Sequence, residues 1–245
     1  IPGFVARGMT ADEARRLSRL SVQLAVEARN AFWAAGPHAK RRRPLVAASV
    51  GPYGAYLADG SEYTGAYDLD EGGLVAFHRE RWALLTATEA DVLACETIPS
   101  FVEARALTRL LDESPGVWAW FSFSCRDGAC ISDGTPLSDC AAFLAGRPGV
   151  AAIGINCTPP RFIPDLIRAV TAVTDTPVIV YPNSGESYDP VGKRWLGQSV
   201  PAEFGSFSRE WRKLGAALIG GCCRTTPAHI QQISDRFRKH PWPEE

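Results

Sequence analysis

With 26 Lys+Arg against 27 Asp+Glu in 245 residues, the chain sets up no one-signed field for nucleic acid or an acidic membrane surface, and a small polar metabolite suits it better. A chain of this length can hold one α/β barrel or two smaller domains, and with no separating linker residues 1–245 are read as a single domain. No apolar run approaches the roughly 20 residues that span a bilayer, no signal pattern opens the chain, and seven dispersed cysteines argue against a disulfide scaffold. The expectation is a soluble, cytoplasmic protein with reduced thiols. Ile1 stands where a methionine would, so the expected start is processed or lies upstream.

Thr10 with Glu13 makes a capping box, and Leu17, Leu20, Leu24 and Ala28 then recur at helical spacing to about Ala35. The basic cluster Lys40-Arg41-Arg42-Arg43 is read as solvated, with an anion site as the alternative. Leu45–Val50 has strand character and stops at Gly51-Pro52. The segment from Tyr53 to Gly73, with Tyr53, Tyr56, Tyr63 and Tyr67, exceeds the usual βα loop of about 2–6 residues and reads as a lid or substrate loop. Helices from about Glu71, Phe101, Ser138, Thr158 and Pro201 then alternate with strands Asp91–Cys95, Val117–Ser124, Ala151–Asn156, Pro177–Tyr181 and Ala216–Ile219, and Thr225–Phe237 is a last helix.

Six apolar strands, each followed by a helix, describe a parallel sheet. The alternatives are an open doubly wound sheet and a closed barrel. Because the first element is a helix with no strand before it, the pattern is read as a (β/α)8 TIM barrel lacking its first two strands.

In such barrels chemistry sits at the C-terminal strand ends. Here those ends carry Glu96, Ser124, Asn156-Cys157, Asn183 and Cys222-Cys223. Three thiolates from two strand ends would give a soft tetrahedral site with one vacancy, which suits zinc; the competing reading is three small core residues. Glu96 could bind an ammonium group or cap the next helix, and Asn156 and Asn183 could fix substrate or close turns. Cys95, Cys125, Cys130 and Cys140 show no ligand-like grouping. None of His38, His78, His229 or His240 lies at a strand end, and His229 is read as structural.

The segments Ala94-Cys95-Glu96-Thr97-Ile98-Pro99, Gly154-Ile155-Asn156-Cys157, Tyr181-Pro182-Asn183-Ser184-Gly185-Glu186 and Gly220-Gly221-Cys222-Cys223-Arg224-Thr225-Thr226-Pro227 resemble the homocysteine S-methyltransferases, in particular the short forms that use S-methylmethionine. Ile1-Pro2-Gly3-Phe4 and the Tyr53–Tyr67 loop agree, so the resemblance covers essentially the whole chain. It implies a Zn2+ barrel with Cys157, Cys222 and Cys223 as metal ligands, Glu96 holding the amino group of homocysteine, and Asn156 shaping the site beside the metal. The family's Asp-Gly-Gly segment on the first strand and aromatic-Gln segment ending the second are absent from this sequence.

The activity so implied is methyl transfer from a sulfonium, S-methylmethionine or S-adenosylmethionine, to the homocysteine thiol. Tyr53, Tyr56 and Tyr181 are candidate aromatic faces for the donor's positive charge. Competing readings are a zinc hydrolase with Glu96 as general base and a non-enzymatic thiol or redox protein on a degenerate barrel. The sequence leaves the oligomeric state open.

Overall fold

Thr10 and Glu13 close the first long helix reciprocally. The Thr10 hydroxyl accepts the Glu13 N–H at 3.3 Å while the Glu13 carboxylate accepts the Thr10 N–H at 3.1 Å, satisfying two donors that a helix start leaves without partners. The computed structural model describes residues 1–37, 42–189, 192, 194–197, 199 and 201–239. His38, Lys40, Arg41 and His240 lie outside the described residues; Arg43 donates to Asn30 at 2.8 Å.

Helix α1 (Pro2–Val5) and helix α2 (Ala11–Ala34) precede strand β1 (Ala47–Val50). The buried stripe of α2 is Ala14, Val22, Val26 and Arg29, displaced from the leucine stripe expected above: Leu24 is 57% exposed. Both stripes have helical spacing. The one that packs carries Arg29, whose guanidinium pairs with Asp91, and the same Asp91 oxygen accepts the Val46 N–H at 2.7 Å, so one carboxylate ties α2 to the start of β1.

The long segment after β1 is ordered locally. It forms α3 (Tyr53–Leu57) and a single 3-10 turn, Ser61–Tyr63. The Tyr53 ring meets Tyr67 edge-on at 5.4 Å and Phe77 at 4.8 Å, an arrangement favoured by the ring quadrupoles. Phe77 belongs to α4 (Glu71–Thr86) and also meets the Tyr56 ring at 5.4 Å, so Tyr53, Tyr56 and Tyr67 form one ring cluster that anchors the segment, although Tyr56 and Tyr63 stay exposed. Beneath it, buried Glu103 accepts the Tyr53 N–H at 2.6 Å and lies 2.7 Å from His78 Nε2. Arg81 donates to His78 Nδ1 at 2.9 Å. That contact fixes the proton on Nε2 and keeps the ring neutral, and burial, the largest cause, lowers the His78 pKa further.

Strand β2 (Val92–Ile98) leads to α5 (Phe101–Asp112), β3 (Ala119–Phe123) to α6 (Leu137–Leu144), β4 (Val150–Asn156) to α7 (Ile163–Thr171) and β5 (Val178–Tyr181) to α8 (Pro201–Lys213). An antiparallel ribbon of β6 (Ser187–Asp189) and β7 (Arg194–Leu196) precedes α8. Strand β8 (Ala216–Ile219) and α9 (Pro227–Lys239) follow α8. The main sheet is parallel throughout, in the order β1-β2-β3-β4-β5-β8.

Alternation along each strand sends Cys95, Phe121, Phe123, Ile153, Ile155 and Val180, all fully buried, toward the helices. The inner face carries Ser49, Glu96, Trp120, Ser122 and Tyr181, joined by hydrogen bonds. Trp120, Ile179, Tyr181 and Leu218 line a cavity of about 290 Å³ on that face.

Candidate metal centre

The polar ends of the parallel strands converge because two of them leave regular geometry there. In β2 the register with β3 slips between Cys95 and Ile98, a bulge of the kind that re-aims side chains beside functional sites. Thr97 in this bulge has φ +59, and its N–H is taken by Asn156 Oδ1 at 2.8 Å while Asn156 Nδ2 donates to Thr97 Oγ1 at 2.6 Å. Asn156, 1% exposed, thus supplies the partner that the slipped ladder denies Thr97. The same amide nitrogen stands 4.0 Å from Cys222 Sγ.

Cys157 follows directly and has φ +49, a left-handed conformation that costs a residue with a β-carbon roughly 1–2 kcal/mol. Such strain persists where surrounding contacts over-determine it. Here the Cys157 N–H donates to the Tyr181 carbonyl at 3.3 Å, and Thr158 Oγ1 bonds both the Asn156 carbonyl and the Cys125 N–H. The turn directs the thiol toward β8.

At the end of β8, Gly221 has no room for a side chain: a β-carbon there would stand 2.4 Å from Thr225 Oγ1. The Cys222 N–H donates to the Pro182 carbonyl at 2.8 Å and the Cys223 carbonyl accepts the Ser184 N–H at 3.0 Å, so the double-cysteine turn is hung on the loop after β5. Glu186 completes the brace. It is 6% exposed, accepts the Ser184 hydroxyl at 2.7 Å, and takes both Arg224 contacts, Nε at 3.2 Å and Nη2 at 3.4 Å; these partners hold its carboxyl below the usual range. Arg224 adopts φ +64. Replacing Glu186 with Gln removes the charge that holds Arg224 beside Cys223, and a roughly tenfold loss of metal affinity is expected by analogy with other outer-sphere changes. Chelator competition against the parent chain measures it, with folding checked in parallel.

The three sulfurs meet. Cys157 Sγ lies 2.7 Å from Cys222 Sγ and 3.4 Å from Cys223 Sγ, and the last pair is 3.9 Å apart. A tetrahedral thiolate centre with metal–sulfur bonds of about 2.3 Å spaces its sulfurs about 3.8 Å apart, so small side-chain rotations bring the set to that size. The thiol contacts pull Cys223 down to about 3 and push Cys157 far above the ordinary thiol range. One thiolate is readily held by two S–H donors; three adjacent thiolates need a cation. These are the only three His, Cys, Asp or Glu residues grouped this way among the described residues.

Glu96 does not cap α5. The Phe101 N–H at that helix start goes to Asp133 instead, at 2.7 Å. Glu96 points into the inner face, where Ser49 donates to Oε1 at 2.6 Å and Tyr181 donates to Oε2 at 3.0 Å. Burial, and then the adjacent Glu96 charge, keeps the Tyr181 phenol protonated. Asn183 spends its Oδ1 on the Gly185 N–H at 2.9 Å, an Asx turn. His229 accepts the Thr226 N–H at the start of α9 and bonds Ser199, a structural role. Cys95, Cys125 and Cys140 are buried free thiols. The braces from Tyr181, Thr97 and Glu186 connect residues distant in the chain, and only their place in the four motifs points to them in the sequence.

A family model described as homocysteine S-methyltransferase matches residues 4–237. The chain belongs to that family. It is 54% identical to Homocysteine S-methyltransferase YbgG of Bacillus subtilis, over 95% of this chain and 74% of the relative. Among solved structures it is similar to the homocysteine methyltransferase MmuM from Escherichia coli, in an oxidised form (TM-score 0.85, 46% identity) and a metallated form (TM-score 0.84, 45% identity), each over 96% of this chain and 75% of MmuM. The chain therefore spans about three-quarters of the length of these homocysteine S-methyltransferases. Its sheet is the six-strand part of a (β/α)8 barrel, and no described helix is long and apolar enough to cross a membrane.

Proposed function

We propose that the protein transfers a methyl group from a sulfonium donor, S-methylmethionine in the first instance, to the thiol of L-homocysteine, with Zn2+ held by Cys157, Cys222 and Cys223. The observation that carries this reading is the approach of three thiols from two strand ends within 3.9 Å of one another, on a chain of this family. A thiol with a pKa of about 8.5 is only a few per cent thiolate at neutral pH, and zinc, when bound, supplies the missing ionisation. Glu96 binds the acceptor's ammonium group with a carboxylate whose two neighbours, Ser49 and Tyr181, are neutral and leave its charge intact. Asn156 fixes the bulge that aims Glu96 and lies against Cys222. The acceptor's sulfur forms its bond to the methyl carbon as the donor's carbon–sulfur bond breaks. The electron pair leaves on a neutral thioether, and the acceptor's proton passes to solvent. Holding sulfur and methyl in line gives the remaining acceleration.

A hydrolytic reading needs a general base at the metal, and among the described residues no carboxylate or imidazole joins the group of three sulfurs. Three reduced thiols belong in the cytoplasm, where such groups persist, and we assign the protein there, working on small molecules as one barrel domain. Zinc content measured together with methionine formation from S-methylmethionine and from S-adenosylmethionine tests the proposal. Stoichiometric zinc with homocysteine-dependent consumption of a sulfonium is expected; zinc-loaded protein that yields no methionine from either donor sinks it.

A further inference from the structure

A phenol has one proton to give and two lone pairs to fill, and the surroundings of Tyr181 leave one way to use them. The Trp120 indole N–H, which only donates, points at the Tyr181 oxygen from 2.9 Å. Glu96 Oε2, an acceptor when ionised, lies 3.0 Å away on β2. Ser122 Oγ stands 2.5 Å from the same phenol oxygen and can play either part. If the phenol proton goes to the carboxylate, Trp120 and Ser122 both donate inward, and every group is satisfied. We propose that Tyr181 is the positioning residue of the acceptor pocket: with its hydroxyl loaded by Trp120 and Ser122, it holds the Glu96 carboxylate in the orientation that captures the amino group of the thiol substrate. This rests on the methyltransferase reading and extends it from the residue that binds to the residues that aim it.

The need for aiming follows from the bulge. Glu96 sits where the β2–β3 register slips and the next residue is left-handed, so its backbone is set by Asn156 while its side chain would otherwise sample several rotamers. Ordering a flexible carboxylate side chain costs conformational entropy, and two hydroxyl contacts meet that cost before the substrate arrives. Neutral donors suit this role, because an arginine in their place would cancel the charge an ammonium group needs. Tyr181 also accepts the Cys157 N–H on its carbonyl at 3.3 Å. One residue therefore sets the amine pocket relative to a proposed metal ligand, and with it the span between the substrate's nitrogen and sulfur.

The test compares homocysteine with 4-mercaptobutanoate, the same thiol without its amino group, by calorimetric titration of the zinc-loaded protein. Tyr181→Phe keeps the ring, which packs edge-on against Trp120 at 6.4 Å, and removes only the hydroxyl. The expected result is a rise of about tenfold in the homocysteine Kd, the size of one lost hydrogen bond to a charged group. The 4-mercaptobutanoate Kd and the zinc stoichiometry stay unchanged, and kcat at saturating homocysteine stays within about twofold. Glu96→Gln should raise the homocysteine Kd as well, and adding Tyr181→Phe to it should add little, because the two act as one unit. Trp120→Phe, which removes the inward donor, should give a smaller loss in the same direction. Equal weakening of both thiols by Tyr181→Phe, or no weakening of homocysteine while Glu96→Gln weakens it, overturns the positioning role and leaves the methyltransferase reading intact. Indifference of homocysteine binding to Glu96→Gln overturns the assignment of the amine pocket itself, and the positioning role with it.

Discussion

Cys222→Ala is expected to lose bound metal and methyl transfer together. Cys222 Sγ stands 2.7 Å from Cys157 Sγ, and its removal leaves two thiols on separate strand ends. Apparent zinc binding energies of complete structural sites run to about 10–16 kcal/mol, and one ligand of three is a large share of any such total. At the acceptor the expected loss is equally direct, since a thiol left protonated at neutral pH retains only a few per cent of its nucleophilic form at a pKa of about 8.5. The fold should survive, because Cys222 is only half-buried in a turn beyond β8. Metal analysis, circular dichroism and a methionine assay on one preparation separate these effects. Cys95→Ala is the control: that thiol is fully buried in the helix-facing core, where burial raises its pKa, and its loss should lower stability while leaving metal content alone. A Cys222→Ala variant that keeps stoichiometric zinc and full turnover would refute the ligand assignment.

Which parts of this arrangement can be read before any coordinates depends on how local their causes are. The Thr10–Glu13 cap is a contact over three residues, and the strand and helix alternation repeats often enough to be unambiguous. The convergence of Cys157 with Cys222 and Cys223 is inferable because parallel strands put all their C-terminal ends on one side. The α2 stripe is misplaced in the sequence reading because two faces of that helix have the same spacing, and the choice between them is made by Asp91, 62 residues from Arg29. The β6–β7 ribbon consists of three-residue strands, too short to carry an alternation. The bulge at Glu96-Thr97 leaves no mark either: the run Val-Leu-Ala-Cys-Glu-Thr-Ile looks like an ordinary strand, and its slip is held by an asparagine 59 residues away. The chemistry-bearing side chains are visible as types; the residues that aim them are set by pairings across the sheet.

Gly154 is the position where that sheet has least tolerance, and Gly154→Ala is expected to be among the most damaging single substitutions in the chain. A β-carbon on Gly154 would stand 1.7 Å from the Ile179 carbonyl oxygen and 2.6 Å from its carbon. Both are backbone atoms of the adjacent strand, so no rotamer change relieves the overlap, and β4 and β5 must separate. Glycine inside a strand commonly marks such a close approach. Overpacking a core ordinarily costs about 1–3 kcal/mol; a collision that also opens ladder hydrogen bonds should reach at least about 3 kcal/mol, which for a marginally stable domain is a large part of the total. The consequence reaches the site, because the same register that pairs Gly154 with Ile179 pairs Asn156 with Tyr181 two steps later. Separating the strands moves the amide that holds the bulge away from the phenol that holds Glu96, so any folded fraction should bind both metal and homocysteine more weakly. Urea unfolding measures the first effect and chelator competition the second. Gly36→Ala, at an exposed position with nothing within 4 Å of the new carbon, should leave both unchanged. A Gly154→Ala chain as stable as its parent would mean that β4 and β5 do not approach as closely as the sheet requires.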